Sequence, residues 1–429
     1  MSVHHLIIIA TVLFCFPKNS FGKSIEEALQ STLENNLEIK LEKSRLEQVR
    51  ATSGDAWSEF LPDISATMQK GRQKNDALKI DRPGDLDKMN DQNVKQLNFT
   101  QPIFSGFSSY NNFKEIKYSI SSAESFYLSK ESEILLAAIE SYLNLYRAVR
   151  FVDIKEEDEG NSRKLLKLLK VRNKSGDVGG AQVIRYQSYL ASARAEKLMA
   201  QRELLKAEEE YQKNTGLNSI DSEIPEIDES LIADERQDVI DQVLVNNEYL
   251  RSYKFRVKAA KSAVNKSRGA FSPKVEISAS LSEQENITYL DNRDLRSESL
   301  FLNVKVPIFQ RGAEYSGLTK ANSNLTFAKQ EYESNKENII RDASQTFQEF
   351  KFLKKLINNQ AELIELTKNR ISKIEQQINV GDGDRVDLIQ SKLELNKIIA
   401  QQLDSRVNYI LSYYRLLMLT GNFNFKNDI

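Results

Sequence analysis

The sequence predicts a mainly α fold with a small β part: long antiparallel coiled-coil helices, four short strands and an internal twofold repeat. Three observations carry that expectation. The chain punctuates itself twice, because Pro102 and Pro307, Gly176 and Gly381, and Gly216 and Gly421 each stand 205 residues apart. Upstream, Asn36 and Asn247, and likewise Pro62 and Pro273, stand 211 apart, so the first copy holds six extra residues between Pro62 and Pro102. Matching breakers at matching distances mark a duplicated structural unit. Two stretches, about Ser108 to Arg172 and about Ala313 to Asn379, run without proline and predict very long helices. Four segments of strand length alternate apolar and polar residues.

In chain order, Leu6 to Phe16 is an apolar run ended by Pro17, and Ser20-Phe21-Gly22 offers small residues for cleavage. That is the pattern of an export signal over 1–22, although its first residues include His4 and His5 and no Lys or Arg. Phe14 before Cys15 argues against a lipid anchor. Each repeat then reads helix, strand, polar loop, strand, very long helix, glycine turn, helix. In repeat one (23–216) the opening helix covers about Ser24 to Ser58 and ends before Pro62. Ile64, Ala66 and Met68 alternate with Ser65, Thr67 and Gln69, and the charged segment Gly71 to Asn93, with Pro83-Gly84, reads as a loop. Leu97 and Phe99 alternate with Gln96, Asn98 and Thr100 up to Pro102, and Gln101-Pro102-Ile103-Phe104 with Gly106 leads into the long helix.

Along that helix Ile116, Ile120, Ala123, Tyr127, Ile134, Ala138, Leu145, Val149 and Val152 keep the spacing of a coiled-coil seam. A helix of that length spans roughly 100 Å and has to pack on similar rods. Gly176-Asp177 turns the chain back into a partner helix starting near Ala181. A linker at 217–231, with Pro225 and several acids, leads to repeat two (232–421). There Val275, Ile277, Ala279 and Leu281 alternate with Glu276, Ser278 and Ser280. After a polar loop through Asp291-Asn292-Arg293-Asp294, Leu300, Leu302, Val304 and Val306 alternate with Phe301, Asn303 and Lys305. Val306-Pro307-Ile308-Phe309 with Gly312 repeats the junction, Gly381-Asp382 repeats the turn, the last helix begins near Arg385, and 422–429 is a tail.

Composition narrows the function. With 40% hydrophobic residues but only 7 Pro and 16 Gly, the chain suits thin helical assemblies better than a globular ball. Sixty Lys and Arg against 61 Asp and Glu, with no basic tract or acidic tail, give a nucleic-acid partner no electrostatic support. Cys15, His4 and His5 are the only Cys and His, and all fall in the expected signal. The mature chain therefore lacks the thiols and imidazoles on which zinc, copper and iron sites and most acid–base catalysis rely. No metal, no cofactor and no enzymatic activity are expected. Absent thiols also fit an oxidising, exported compartment.

Strands with one apolar and one polar face suit a soluble sandwich or a barrel with a wet lumen, and about ten residues suffices for a tilted strand to cross a bilayer. Four strands cannot close around a lumen, and open edges are forbidden in lipid. A membrane reading therefore requires several chains to pool their strands.

Two copies of helix, hairpin, long helix and helix, the Q-P-I-F and V-P-I-F junctions and the Gly-Asp turns together resemble the TolC family of outer-membrane channels, over about Lys23 to Gly421. The resemblance implies a homotrimer whose twelve transmembrane strands form one barrel and whose helices form an α-barrel tunnel into the periplasm of a Gram-negative cell. It implies an exit duct for a tripartite efflux pump or a type I secretion system, gated at the helix tips. Its partners would be a periplasmic adaptor (membrane fusion) protein, an inner-membrane pump and outer-membrane lipid. Pro62, Pro102, Gly106, Pro273, Pro307 and Gly312 are then strand–helix junctions, and Gly176, Asp177, Gly381 and Asp382 are tip turns. Trp57, Phe60, Phe104, Phe107, Tyr110, Phe271 and Phe309 are placed for an aromatic girdle at the inner membrane interface.

The family carries two constriction acids in the helix after the second turn. Asp387 matches the first and Gln390 departs from the second. Gln182 and Gly383 stand where relatives form a tip latch, so Arg385 and Arg185 are the candidate replacements. The competing reading is a secreted or periplasmic coiled-coil scaffold, which explains the rods but leaves four amphipathic strands without a purpose.

Overall fold

The computed structural model describes residues 24–73, 90–218, 224–285 and 294–423. The expected export signal, Pro83-Gly84, Asp291-Asn292-Arg293 and most of the tail lie outside the described residues.

The elements follow the order α1 (Ile25–Asn35), α2 (Leu37–Ser58), β1 (Asp63–Gln73), β2 (Asn90–Phe104), α3 (Ser108–Lys174) and α4 (Gly180–Thr215) in the first repeat. The second gives α5 (Arg236–Asn246), α6 (Glu248–Arg268), β3 (Lys274–Glu285), β4 (Leu295–Lys305), α7 (Ala313–Asn379) and α8 (Arg385–Thr420). The duplication extends to length, since α3 and α7 both have 67 residues and α4 and α8 both have 36.

One expectation is corrected at the start of each repeat. The opening helix is two helices, broken at Asn36 and Asn247, whose ψ angles of 127° and 116° are extended. Each break is tied to the end of a distant helix. Asn36 Nδ2 donates to the Asn214 carbonyl at 3.1 Å, and Asn247 Nδ2 donates to the Leu419 carbonyl at 3.0 Å. Asn247 also caps α6 by accepting from the Leu250 N–H at 3.0 Å. An asparagine that stops one helix and satisfies the orphan carbonyls of another is more favourable than a continued helix.

The chain forms two compact units that each draw on both repeats. The first gathers the described residues of Met1–Asn36, Ile134–Glu229 and Glu349–Tyr414. Its core holds Tyr142 packed edge-on against Tyr211, with ring centroids 6.1 Å apart, and Phe350 stacked on Tyr409 at 4.7 Å. Glu229, in a single helical turn before α5, accepts from Tyr409 and pairs with Lys354. The expected seam on α3 is only partly buried, because Ala138 and Leu145 are enclosed while Val149 is 38% exposed. Burial instead passes through Leu135, Ile139, Tyr142 and Leu143. A bundle helix buries a wider stripe than a two-helix seam needs.

The second unit comprises Leu37–Glu133, Ser230–Gln348 and the described residues of Arg415–Ile429. It holds one antiparallel sheet in the order β1-β2-β3-β4. The strands reach further than expected. Gly71 pairs with Gln92, Arg72 with Asp91 and Gln73 with Asn90, inside the segment read as loop. The Arg72–Asp91 ion pair at 3.0 Å helps a charged sequence hold strand geometry there. Pro102 lies within β2 at a register shift between Pro102 and Phe104, as a residue without an N–H requires. Pro62, Pro273 and Pro307 sit outside the strands.

Candidate functional site

The registers gather mostly apolar side chains on one face of the sheet and mostly polar ones on the other. Opposed residues share a face, and successive residues alternate. Ile64, Phe99, Ala279 and Leu300 align across all four strands. Ala66, Leu97 and Leu281 align in the next row on that face, which ends in Glu298 on β4, while Ile277 with Leu302, beside Gln101, and Val275 with Val304 continue it toward the helices. The six steps from Val275 to Leu281 cover about 20 Å at 3.4 Å each. Beyond them the face turns charged at Lys95, Glu283 and Arg296, with Lys95 3.6 Å from Glu283.

The other face carries Ser65, Asn98, Ser280 and Ser299 in one row, and Ser280 and Ser299 share a hydrogen bond of 2.8 Å. Asn303 Nδ2 donates to Ser278 Oγ at 2.9 Å on that side. Phe301, opposite Ser278, and Val94 and Leu295, aligned with Gln284, are apolar residues on that side. The apolar face is bare in the single chain, where Leu300 is 73% exposed, Met68 69% and Leu302 66%. Both outer strands, β1 and β4, have one unpaired edge among the described residues.

The strand–helix junctions are tight and aromatic. Trp57, Phe60 and Phe113 form an edge-on cluster, Phe104 packs on Phe107 at 5.2 Å, and Phe271 packs on Tyr315 at 5.2 Å. Gly106 (φ +65°) touches the junction of the other repeat, where a Cβ would lie 2.4 Å from Ser272 Cβ and 2.7 Å from the Gly269 carbonyl oxygen. The twin junction reaches the same left-handed turn with its residues exchanged. Gly106-Phe107 corresponds to Arg311-Gly312, and both non-glycine members hold positive φ. Phe309 is 73% exposed.

The second feature is the pair of helix turns, both in the first unit. Gly176 (φ +85°) and Gly381 (φ +87°) close α3 and α7 alike. Asp177 N–H bonds the Arg172 carbonyl at 3.0 Å, and Asp382 N–H bonds the Gln377 carbonyl at 2.9 Å. The turns then diverge. The Arg172 guanidinium makes two bonds to the Asp384 carboxylate, at 2.7 and 3.0 Å, tying the end of α3 to the start of α8. Asp384 also caps α8, accepting from the Val386 N–H at 2.8 Å. Arg172 holds the Asp384 carboxyl below its ordinary value, and Asp177 and Asp387 lie close enough to Arg172 to favour its charged form.

The sequence candidates fall around this bridge without making it. Arg185 donates to Tyr189 Oη at 2.8 Å and lies over that ring, and Arg385 forms no ion pair among the described residues. Gln390 Nε2 donates to Tyr186 Oη at 2.8 Å beside a cavity of about 280 Å³, while Gln182 and Asp387 are exposed. A side chain at Gly383 is excluded, since its Cβ would lie 2.5 Å from the Ile378 backbone nitrogen.

Sequence reasoning missed Arg172 and Asp384. The signal was available in the repeat offset, because their twin positions hold Gln377 and Gly179, so a complementary pair exists where neither copy alone shows one. Among the described residues no cluster of metal-ligating side chains occurs, and no helix is long and apolar enough to cross a membrane.

A profile of the outer membrane efflux protein family matches residues 28–217 and 239–422. The chain belongs to that family. A curated relative, the outer membrane efflux protein BepC of Brucella suis, is 17% identical over 402 residues, covering 94% of this chain and 86% of its own. The fold is that of solved outer-membrane channels. The Campylobacter jejuni CmeC channel aligns with a TM-score of 0.80 at 15% identity, over 93% of this chain and 86% of its own. The outer membrane protein VceC of Vibrio cholerae aligns with a TM-score of 0.76 at 16% identity, over 92% and 96%.

Proposed function

We propose that three copies pool their strands into one twelve-stranded barrel across the outer membrane, with their helices forming a periplasmic tunnel. In this reading the channel is the passive exit duct of a tripartite efflux pump or type I secretion system. It engages a periplasmic adaptor and an inner-membrane pump and opens at the helix tips. One observation carries it: an apolar face continuous over four hydrogen-bonded strands, bare to solvent, with an unpaired edge at either side. Lipid covers such a face at no polar cost, and only neighbouring strands can satisfy such edges inside a bilayer. A scaffold restricted to water leaves both the face and the edges unsatisfied.

The tip reading assigns the closing contact to Arg172–Asp384 and a ring of like charge to three copies of Asp387. The test of assembly is the mass of the purified protein in mild detergent by light scattering with the detergent subtracted. Three copies are expected, along with a heat-modifiable band on gels. A stable monomer, or protein that stays dispersed in buffer without detergent, refutes the barrel.

A further inference from the structure

The two helical hairpins share length and fold but not charge. Residues 160–195, the turn end of α3 and α4, hold eight Lys and Arg and a single acid, Asp177. The twin segment 365–400 holds six of each. Higher on the same α3–α4 pair the cations are neutralised. Lys155 meets Glu196 at 2.9 Å, Lys197 meets Glu156 at 3.1 Å, and Arg163 meets Glu159 at 2.5 Å. Below Arg163 only Arg172, through Asp384, keeps such a partner among the described residues of α3. Lys164, Lys167, Lys170 and Lys174 are exposed and have no carboxylate or hydrogen-bond partner among the described residues.

Lys167, Lys170 and Lys174 follow below the paired Arg163 at intervals of three and four, which puts them on one face of α3 over two turns. That face lies opposite the buried Leu165, Leu166 and Leu169. The repeat supplies an internal control. At the twin positions stand Lys368, Ser372, Glu375 and Asn379, and Glu375 is paired with Lys392 at 2.9 Å. The fold therefore does not need the stripe. Unneutralised like charge along a helix is destabilising by itself.

We infer that this face of α3 is a docking surface for an acidic helix of a periplasmic partner protein. The inference deepens the channel reading above, which leaves the hairpin turns free in an aqueous compartment, and rests on it. Charge complementarity selects the occupant, because carboxylates spaced three and four along a helix meet the stripe pair by pair. A second copy of this chain fits poorly. Of the six acids in its residues 365–400, Glu375, Glu394 and Asp384 are already paired with cations.

The test uses the full trimer in detergent and two labelled synthetic helices, one with three Glu at those intervals and one with Gln in their place, read by fluorescence anisotropy. The Glu helix should bind and weaken with added salt, while the Gln helix should not bind. K167Q/K170Q/K174Q should weaken binding about tenfold. K320Q/K329Q/K355Q, which removes equal charge from α7, should leave it unchanged. Gel mobility of each trimer is measured first, so failure to assemble counts against the channel reading and not against this one. A wild-type trimer that ignores the Glu helix overturns the inference. So does equal weakening by both triple variants, or a stripe variant that alters only the anion preference of the pore, which would make the stripe a tunnel lining.

Discussion

Replacing Arg172 with Gln removes the ion pair seen between the two hairpin turns among the described residues and leaves the α8 cap in place. Both side chains are about a third exposed (35% and 38%), so the pair is discounted as a surface bridge. Its two-bonded geometry puts it near the upper end of that class, about 1 kcal/mol per chain. Three copies closing one tip give about 3 kcal/mol, or on the order of a 100-fold shift toward the open state. Asp384→Ala loses the bridge and also the bond to the Val386 N–H, a further 1 kcal/mol or so. The assay is single-channel conductance in planar bilayers, with the double variant closing the cycle that isolates the pair.

Acidity supplies a second handle. Because Asp384 is held below its ordinary value, chiefly by Arg172, the bridge is complete above the usual carboxylate range and is lost as pH falls through the lowered value. Conductance should stay flat from neutrality to about pH 5 and rise only below it, and Arg172→Gln should abolish that rise. Unchanged open probability in Arg172→Gln, or no coupling in the cycle, refutes the latch.

Three further outcomes follow from the geometry. Arg at Ile277 or Val304, on the apolar face, should cost about 2–4 kcal/mol and reduce recovery in the membrane fraction, while Arg at Ser278 or Asn303 should cost far less; equal losses would mean the facing is wrong. Gly106→Ala should lower trimer yield, because φ +65° and the contact with Ser272 both resist a Cβ, whereas Arg311→Gly should raise thermal stability by about 1 kcal/mol by relieving a left-handed non-glycine residue. Asp387→Ala should move reversal potential toward anions and reduce block by trivalent cations, and no change in either would remove Asp387 from the constriction.

The repeat, the four strands and the long helices were legible because each is written locally, in breakers and in period. The breaks at Asn36 and Asn247 were not, although both asparagines stood out as twins. What stops those helices is a carbonyl of another helix, 178 residues away for Asn36. The Arg172–Asp384 bridge spans 212 residues and hides for the same reason. Charge misled in two directions. Arg72 and Asp91 read as loop when taken singly and as strand once paired. The stripe on α3 vanished into a chain-wide balance of 60 cations and 61 acids because leucines separate its lysines along the sequence.

The equal lengths of α3 and α7, and of α4 and α8, set a rule for how this chain can change. If, as proposed, the hairpins end at one ring, neither can be edited singly. A two-turn deletion in one leaves its turn short of its neighbours by about 10 Å, and the bridge between Arg172 and Asp384 has no reach to span that. Substitutions are free of this constraint, and the copies differ in charge at their turn ends while agreeing residue for residue in length. The duplication therefore behaves as a ruler with two independent faces: its length is held in common, while the surface charge of each hairpin is set separately.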